Sequence, residues 1–320
     1  MARARIAATG TYVPGLPIDN ETLKRLAGVE FDAAKHEAKL GIKARHIARL
    51  SGLSETTADF AEKASRQACE RAKVDPRDIG LFIVATDTPE YISPATAILL
   101  QGRLQGGETE ARVFDVGASC ASFVEALDMA ARALVSDFSL SHALVVGVYN
   151  MPAYIRDKDA FGWSIFADGA GAVLLTRDDS PAESSGYVEG VFRADGTQWN
   201  YVGVYAGLEL LQRLPGDRNV KLWPPLVHRL LEKAGVSQGE VAHYFFTQIN
   251  KSVIAEVMGL LGEPMKKTTM VMDRFGYTGS ACVPMALHEA LSLGRVKPGD
   301  LVVLVASGAG LAVGACLVRL

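Results

Sequence analysis

The chain presents one order of apolar segments twice, and this repeat limits its fold more than any other feature. Residues 78–86 have the continuous apolar pattern of a buried strand, and an apolar helix predicted over residues 93–104 follows. The same order recurs at residues 240–247 and 251–261. The alternation of strand and helix predicts an α/β protein.

Two further pairs of segments follow at a constant offset. The strand-like segment 113–115 precedes a helix, and the segment 271–273 precedes a helix predicted over residues 280–293. Residues 143–148 and 301–306 form the next pair, each an apolar run of the kind that is buried on both faces of a sheet. The members of each pair lie 158 positions apart. The sequence therefore predicts a duplicated α/β unit.

The repeat also predicts where one half ends. Each half closes with a glycine-rich turn into an apolar strand, at residues 168–175 and at residues 308–318. Residues 177–185 contain aspartates, serines and a proline, which are typical of a linker. We therefore predict an N-terminal half over residues 1–176 and a C-terminal half over residues 177–320.

The composition indicates a globular enzyme and argues against several classes of partner. Hydrophobic residues make up 49% of the chain and charged residues 22%, and the net charge is only -3. This balance offers no electrostatic attraction to nucleic acid or an anionic membrane. The apolar segments are too short for a transmembrane helix, and the four cysteines form no C-x-x-C pair. We expect a cytoplasmic protein without membrane or nucleic-acid partners.

Cys120 lies where the apolar run beginning at Arg112 meets a long helix with few charges. A helix N-terminus offers unpaired N–H groups and a partial positive charge, which stabilise a thiolate and lower the pKa of a thiol. The same amides can bind a developing oxyanion. We predict that Cys120 is the nucleophile of an acyl transfer, although a free cysteine is more often a small buried core residue.

The remaining candidate motifs favour ordinary structural roles. The Gly308-x-Gly310 pattern is followed by a strand and not by a helix, which argues against a dinucleotide site. None of the six histidines has metal-ligand spacing, so no metal site and no separate cofactor are predicted. Cys282, near the start of the helix equivalent to the Cys120 helix, is predicted to pack in the core.

Six motifs together resemble the ketoacyl-acyl-carrier-protein synthase III family of the thiolase superfamily, along nearly the whole chain. They are residues 41–46, 117–121, 168–171, 248–250, 273–276 and 294–300. The resemblance implies βαβαβαββ halves stacked in five α-β-α-β-α layers, with two five-stranded sheets. It also implies a cytoplasmic homodimer that acylates its cysteine from a CoA or acyl-carrier-protein thioester and passes the acyl group to a second substrate.

Two positions depart from the family in a way that affects the chemistry. Members that decarboxylate a malonyl group use a histidine and an asparagine beside the cysteine; this sequence has Thr247 and Tyr277 at those positions. Hydroxyl groups cannot replace an imidazole as acid and base near neutral pH. We expect both residues to line the second-substrate site and ordinary malonyl condensation to be impaired.

Other expected site residues come from the same resemblance. The N–H of Ala309 is expected to be the second oxyanion donor, with Gly308 beside it at the substrate. Asn250 either orients a substrate or caps the helix that follows it. Ser93 is expected at the end of the acyl tunnel of a partner subunit, in place of a large apolar residue. Lys35 and Ala160 lie near the positions of a tryptophan and an arginine that hold the CoA adenine in some members.

The sequence thus predicts an acyltransferase of the synthase III type that acts in specialised, polyketide or fatty-acid-like metabolism. The expected acceptor is an amine, alcohol, thiol or pre-activated carbanion, since these need less assistance than a malonyl group. Two alternatives stay open. One is an atypical Claisen-condensing enzyme with the same fold, and the other is a non-catalytic partner subunit of a heteromeric synthase.

Overall fold

The computed structural model describes residues 2–180, 185–204, 208–210 and 216–320. The elements of the first half are β1 (Arg3–Tyr12), β2 (Ile18–Asp19), α1 (Asn20–Ala27), α2 (Ala33–Leu40), β3 (Ala44–Arg45), α3 (Thr57–Ala72), β4 (Ile79–Ala85), α4 (Thr96–Gln105), β5 (Arg112–Val116), α5 (Ser122–Ser136), β6 (His142–Asn150), α6 (Ala160–Ile165) and β7 (Asp168–Asp178).

The remaining elements lie in the predicted second half. Its elements are β8 (Gly186–Gln198), β9 (Val202–Val204), β10 (Leu208–Leu210), α7 (Arg218–Ala234), β11 (Val241–Phe246), α8 (Lys251–Leu260), α9 (Met272–Phe275), α10 (Cys282–Ser292), β12 (Leu301–Gly308) and β13 (Gly310–Arg319). Short 3-10 helices lie at Arg49–Ser51, Pro76–Asp78, Met151–Tyr154, Gln238–Glu240, Met265–Lys267 and Gly279–Ala281.

The long strands form two sheets. The first sheet has the order β1-β7-β6-β4-β5, in which β4 is parallel to β5 and β6 while β7 is antiparallel to β1 and β6. The second sheet, within the described ranges, has the order β11-β12-β13-β8, and only β11 and β12 are parallel. Strands β6 and β12 are buried at nearly every position, which is why their sequences are continuous apolar runs.

Helices cover both sheets and separate them. Helices α3 and α4 lie on the outer face of the first sheet, and α7 and α8 pack together outside the second sheet. Between the sheets, α5 contacts β4, β6, β12 and β13, while α10 contacts β1, β7, β11 and β12. The two sheets therefore share a central helical layer, and the five-layered α-β-α-β-α architecture implied by the resemblance is confirmed.

One predicted strand is wrong. Residues 271–273, the counterpart of a strand in the first half, lie at the start of helix α9, and the second sheet has four strands instead of five within the described residues. The Gln248 side chain takes the place of a neighbouring strand: its Oε1 accepts hydrogen bonds from the N–H groups of Val271 (2.7 Å) and Met272 (3.3 Å), and its Nε2 donates to the Thr269 carbonyl (2.6 Å). Beside β11, this segment keeps one isolated β-bridge, between Tyr244 and Thr268, in place of a paired strand.

The predicted boundary between residues 176 and 177 falls inside β7, which continues to Asp178. The next strand of the second half begins at Gly186. Of the predicted linker, residues 181–184 lie outside the described residues, and the division into halves stays a prediction.

Candidate active site

The turn between β5 and α5 holds Cys120 two residues before the first helical residue. The Ser122 hydroxyl fixes this turn from both sides, because it accepts from the Ala118 N–H (2.8 Å) and donates to the Ser119 carbonyl (2.6 Å). Ser119 has a φ of 50°, a left-handed conformation that is uncommon for a residue other than glycine. The backbone therefore presents Cys120 in one fixed direction.

Cys120 opens into a cavity of about 510 Å³. Its apolar wall is formed by Tyr149, Met151, Phe161, Ile165, Phe166, Val202, Val204, Ile249, Val253 and Tyr277. Its polar wall is formed by Lys39, Asp87, Ser119, Arg218, Asn219, Thr247, Asn250 and Ser307. The other three cysteines, Cys69, Cys282 and Cys316, are buried, whereas Cys120 is partly accessible. A cavity of this size, largely apolar with a few polar groups, suits an acyl substrate.

Thr247 and Tyr277 both line this cavity together with Cys120, as the resemblance implies. The Thr247 hydroxyl oxygen accepts a hydrogen bond from the Ser307 N–H (3.1 Å), which ties it to the end of β12. The Tyr277 ring packs against Tyr149 and Phe166, with ring centroids 6.2 and 5.7 Å away. Burial raises the pKa of Tyr277 well above its ordinary value, so its hydroxyl is a neutral donor near neutral pH.

The Cys120 thiol is harder to ionise than the sequence suggested. Burial raises its pKa, and the nearby Asp87 carboxylate raises it further, while a hydrogen bond from the Tyr277 hydroxyl acts in the opposite direction. The expected lowering by the helix N-terminus is therefore outweighed by removal of the thiol from water. The resting nucleophile is a thiol, and it needs a proton acceptor before it can attack.

At Gly308, the turn between β12 and β13 lies against the turn that holds Cys120. A Cβ at Gly308 would lie 2.2 Å from the Ala118 carbonyl oxygen and 3.0 Å from the Ser119 Cβ, so only glycine permits this approach. Ala309 follows directly and lines the cavity beside Cys120. The structure thus places Gly308 and Ala309 where an oxyanion donor would be needed; the donor role of the Ala309 N–H stays a prediction.

The sequence left two roles open for Asn250. Its Oδ1 accepts from the Ser252 N–H (3.0 Å) and the Ser252 hydroxyl (2.8 Å), which makes it the N-cap of α8. Asn250 also lines the cavity. Capping uses only the side-chain oxygen of Asn250, so its amide nitrogen can still donate a hydrogen bond to a substrate.

Ser93, expected at a substrate, and Lys35 and Ala160, which stand near the family's adenine-binding positions, do not line the cavity of this chain. Ser93 is exposed on the segment before α4 and does not line the cavity, and its predicted place in a partner's tunnel stays a prediction. Lys35 is exposed on α2, and Ala160 is the first residue of α6. Other residues of these two helices, Lys39 and Phe161, line the cavity, so α2 and α6 border the site.

Sequence reasoning missed three charged residues of the cavity, Lys39 of α2, Asp87 and Arg218. Asp87 follows the buried strand β4, and Arg218, the first residue of α7, donates to the Gly308 carbonyl (3.4 Å). The signal for Asp87 was a carboxylate directly beyond an apolar strand, since binding groups collect at the carboxyl ends of parallel strands. No sequence feature of this kind indicated that Arg218 would line the cavity.

Among the described residues, no group of three or more His, Cys, Asp and Glu side chains could hold a metal ion. No helix in the described ranges is both long and apolar enough to span a membrane. The predictions of no metal and no cofactor stay predictions.

Comparison with known proteins decides the family. Residues 114–196 match the family described as 3-oxoacyl-(acyl-carrier-protein) synthase III, and residues 231–320 match its C-terminal family. A β-ketoacyl-(acyl-carrier-protein) synthase III of Coxiella burnetii is 31% identical to this chain, with 100% of each covered. The chain belongs to the 3-oxoacyl-(acyl-carrier-protein) synthase III family.

Solved structures agree with this membership. The crystal structure of 3-oxoacyl-(acyl-carrier-protein) synthase III from Aquifex aeolicus has a TM-score of 0.89 and 31% identity, covering 99% of this chain and 100% of that one. The priming β-ketosynthase of the R1128 polyketide pathway has a TM-score of 0.88 and 28% identity, covering 99% and 96%. The predicted thiolase fold is therefore confirmed, and so is the prediction of a thioester-dependent acyltransferase of the synthase III type.

Proposed function

We propose that this synthase III homologue transfers an acyl group through a covalent acyl-Cys120 intermediate. The observation that carries the proposal is the access of one thiol: Cys120 opens into the cavity, and the other cysteines are buried. The Cys120 sulfur would attack a thioester carbonyl, and the amides of Cys120 and Ala309 would bind the oxyanion. The donor is an acyl-CoA or an acyl-carrier protein, and no separate cofactor is needed.

The second substrate is proposed to be an acceptor that needs no decarboxylation. Thr247 and Tyr277 stand where malonyl-condensing members have histidine and asparagine, and Tyr277 is too difficult to ionise to act as a base. These hydroxyl groups can orient an acceptor by hydrogen bonds but cannot exchange protons efficiently near neutral pH. An amine, alcohol, thiol or pre-activated carbanion fits such a site.

The proposal extends to the assembly and the compartment. A homodimer in the cytoplasm, acting in specialised metabolism, is consistent with the net charge of -3 and with the polyketide ketosynthase among the structural neighbours. The same neighbour favours a second candidate, a Claisen-condensing enzyme in which another group supplies the proton chemistry.

The proposal is tested by intact-mass measurement after incubation with medium-chain or aromatic acyl thioesters of CoA and of a carrier protein. We expect the gain of one acyl group, which is lost in Cys120→Ala and retained in Cys282→Ala, a matched change of a buried cysteine. A malonyl-carrier protein is tested in parallel. Without an imidazole, carbon dioxide release should be about 100- to 10,000-fold slower than in members with histidine.

Three outcomes separate the candidates. Rapid carbon dioxide release would favour the Claisen-condensing candidate over the proposed acceptor class. Acylation of Cys120 without this release supports the proposal. If no thioester acylates the protein and iodoacetamide modifies Cys120 no faster than the other three cysteines, the chain is better explained as a non-catalytic partner subunit.

A further inference from the structure

Asp87 and Cys120 leave the first sheet at the same end. Strands β4 and β5 are parallel, with Ala85 opposite Val116, and the Thr86 N–H extends the pairing to the Val116 carbonyl (3.2 Å). Asp87 follows at once, and Cys120 follows β5 after a short turn. Both residues therefore line the same cavity.

The negative charge of the Asp87 carboxylate is stabilised by few neighbouring groups. Its Oδ1 is buried without a hydrogen-bond partner among the described residues, and only its own backbone N–H and the nearby Ser119 hydroxyl lower its pKa against the effect of burial. The titratable groups that its charge reaches are Cys120, Tyr149 and Tyr154, all of which are acids. Within the described ranges no Lys, Arg or His is paired with it, and burial raises the pKa of Asp87 to about 6.

The other polar groups of the cavity are poor proton acceptors. Tyr149 and Tyr277 have pKa values raised by burial, and Thr247 does not titrate. Arg218 is a cation in the physiological range. No histidine lines the cavity in the part of the chain that the structure describes, and Asp87 is the only carboxylate there. A buried carboxylate with an unused oxygen is the group suited to accept a proton.

We propose that Asp87 is the general base of this site and exchanges a proton with the sulfur of Cys120. The proposal rests on the acyl-Cys120 intermediate and assigns the residue that assists its formation and breakdown. The proton passes directly or through one bridging water, as is usual for a general base. During this exchange one negative charge is carried either by the Asp87 carboxylate or by the Cys120 sulfur, and the two groups are not charged at the same time.

The two half-reactions balance with this single group. In the first, the Cys120 proton moves to Asp87, the sulfur–acyl bond forms, the donor's carbon–sulfur bond breaks, and the leaving thiolate takes the proton from Asp87. In the second, the acceptor's proton moves to Asp87 as its bond to the acyl carbon forms. The acyl–Cys120 bond breaks, and the Cys120 sulfur takes the proton. No atom changes its oxidation state.

The test compares Asp87→Asn with the intact enzyme in two reactions of the same thiol. Acylation by an acyl-CoA thioester at pH 7.5 should fall about 100-fold or more, the usual contribution of a general base. Alkylation by iodoacetamide at pH 9.5 should be unchanged or faster, because hydroxide supplies the thiolate and the opposing charge of Asp87 is gone. Glu90→Gln is the matched control: Glu90 accepts from the Thr56 hydroxyl (2.6 Å) and does not line the cavity.

The pH profile distinguishes a base from a structural residue. Acylation of the intact enzyme should decline below a pH of about 6, where Asp87 becomes protonated, and Asp87→Asn should lack this decline. Asp87→Glu should restore part of the rate together with the acid decline. Acylation of Asp87→Asn at the rate of the intact enzyme would overturn the proposal.

Two other results are also decisive. If Asp87→Asn loses acylation and alkylation together, Asp87→Glu decides, because a Glu variant that is alkylated normally but not acylated contradicts the base role. If the intact enzyme is itself not acylated, the acyl-Cys120 intermediate fails, and the base role fails with it. A defect confined to the Asp87 variants bears only on the base role.

Discussion

Burial without a cationic partner raises the pKa of a carboxyl group, and Asp87 and Asp168 are two examples among the described residues. Asp87 lies in the cavity, and Asp168 lies at the start of β7, fully buried. Asp168 Oδ2 accepts from the Ala48 N–H (2.8 Å), but its Oδ1 has no partner among the described residues. Burial raises the pKa of Asp168 to about 7. Asp168 does not line the cavity, and we expect its titration to change the stability of the fold.

The stability of the folded chain should therefore depend on Asp168 in a definite direction. In the unfolded chain its pKa is about 3.9. Because the folded state keeps the proton to higher pH, this residue makes the free energy of unfolding fall as the pH rises from about 4 to about 7. Asp168→Asn removes the titration and should be more stable than the natural chain at pH 8 by about 1–3 kcal/mol, with little difference at pH 4.5.

Urea denaturation at the two pH values measures this difference. Asp137→Asn is the opposite control, because the partly exposed Asp137 carboxylate accepts from Ser139 and its pKa is lowered. A stabilisation by Asp168→Asn that is equal at both pH values would contradict a titration of Asp168.

The strands of this chain differ in how well their sequences predict them. Strands β4, β6 and β12 are buried on both faces, so each requires a continuous apolar run that is visible in the sequence. Residues 271–273 resemble their counterparts 113–115 but turn into α9, because the distant Gln248 side chain binds the amides that a strand would use. A local pattern cannot reveal such a partner.

The same distinction applies to the site. Cys120 was predictable because the nucleophile and its helix are adjacent in sequence. Asp87 carried only the signal of a carboxylate directly beyond an apolar strand, and its place beside Cys120 depends on the parallel pairing of β4 with β5, which the local sequence does not show.

Gln248→Ala should test whether the side chain replaces a strand. The change leaves two buried N–H groups and one carbonyl without their partner, and each unsatisfied buried group costs about 1–3 kcal/mol. We expect a loss of about 2–4 kcal/mol in the free energy of unfolding, measured by urea denaturation. Gln101→Ala is the control, because Gln101 makes its hydrogen bonds at the edge of α4 near the surface. Equal losses in the two variants would mean that Gln248 has no special role.

The outer edge of the first sheet, formed by β5, is a surface of the described molecule on which a second chain can pair. Strand β5 pairs only with β4 within the described residues, and an open edge strand invites pairing with another chain. The adjoining segment is tied to this edge, because Asp115 of β5 accepts from the Thr96 N–H (2.7 Å) at the start of α4. Tyr91, Ile92 and Ile98 are exposed there.

A second copy of the chain bound here would cover both the open edge of β5 and the exposed apolar side chains beside it. In a two-fold dimer each chain covers these groups of the other. Light scattering at micromolar concentration should give about twice the chain mass of 34.2 kDa. The double change Ile92→Asp and Ile98→Asp should shift the protein toward the single chain, because it places charges in the contact. Leu293→Asp, at an exposed leucine after α10, should leave the mass unchanged.

A mass of 34.2 kDa for the natural chain would contradict the dimer. A dimer that survives the double change would place the contact elsewhere, and would remove the reason for expecting Ser93 in a partner's tunnel.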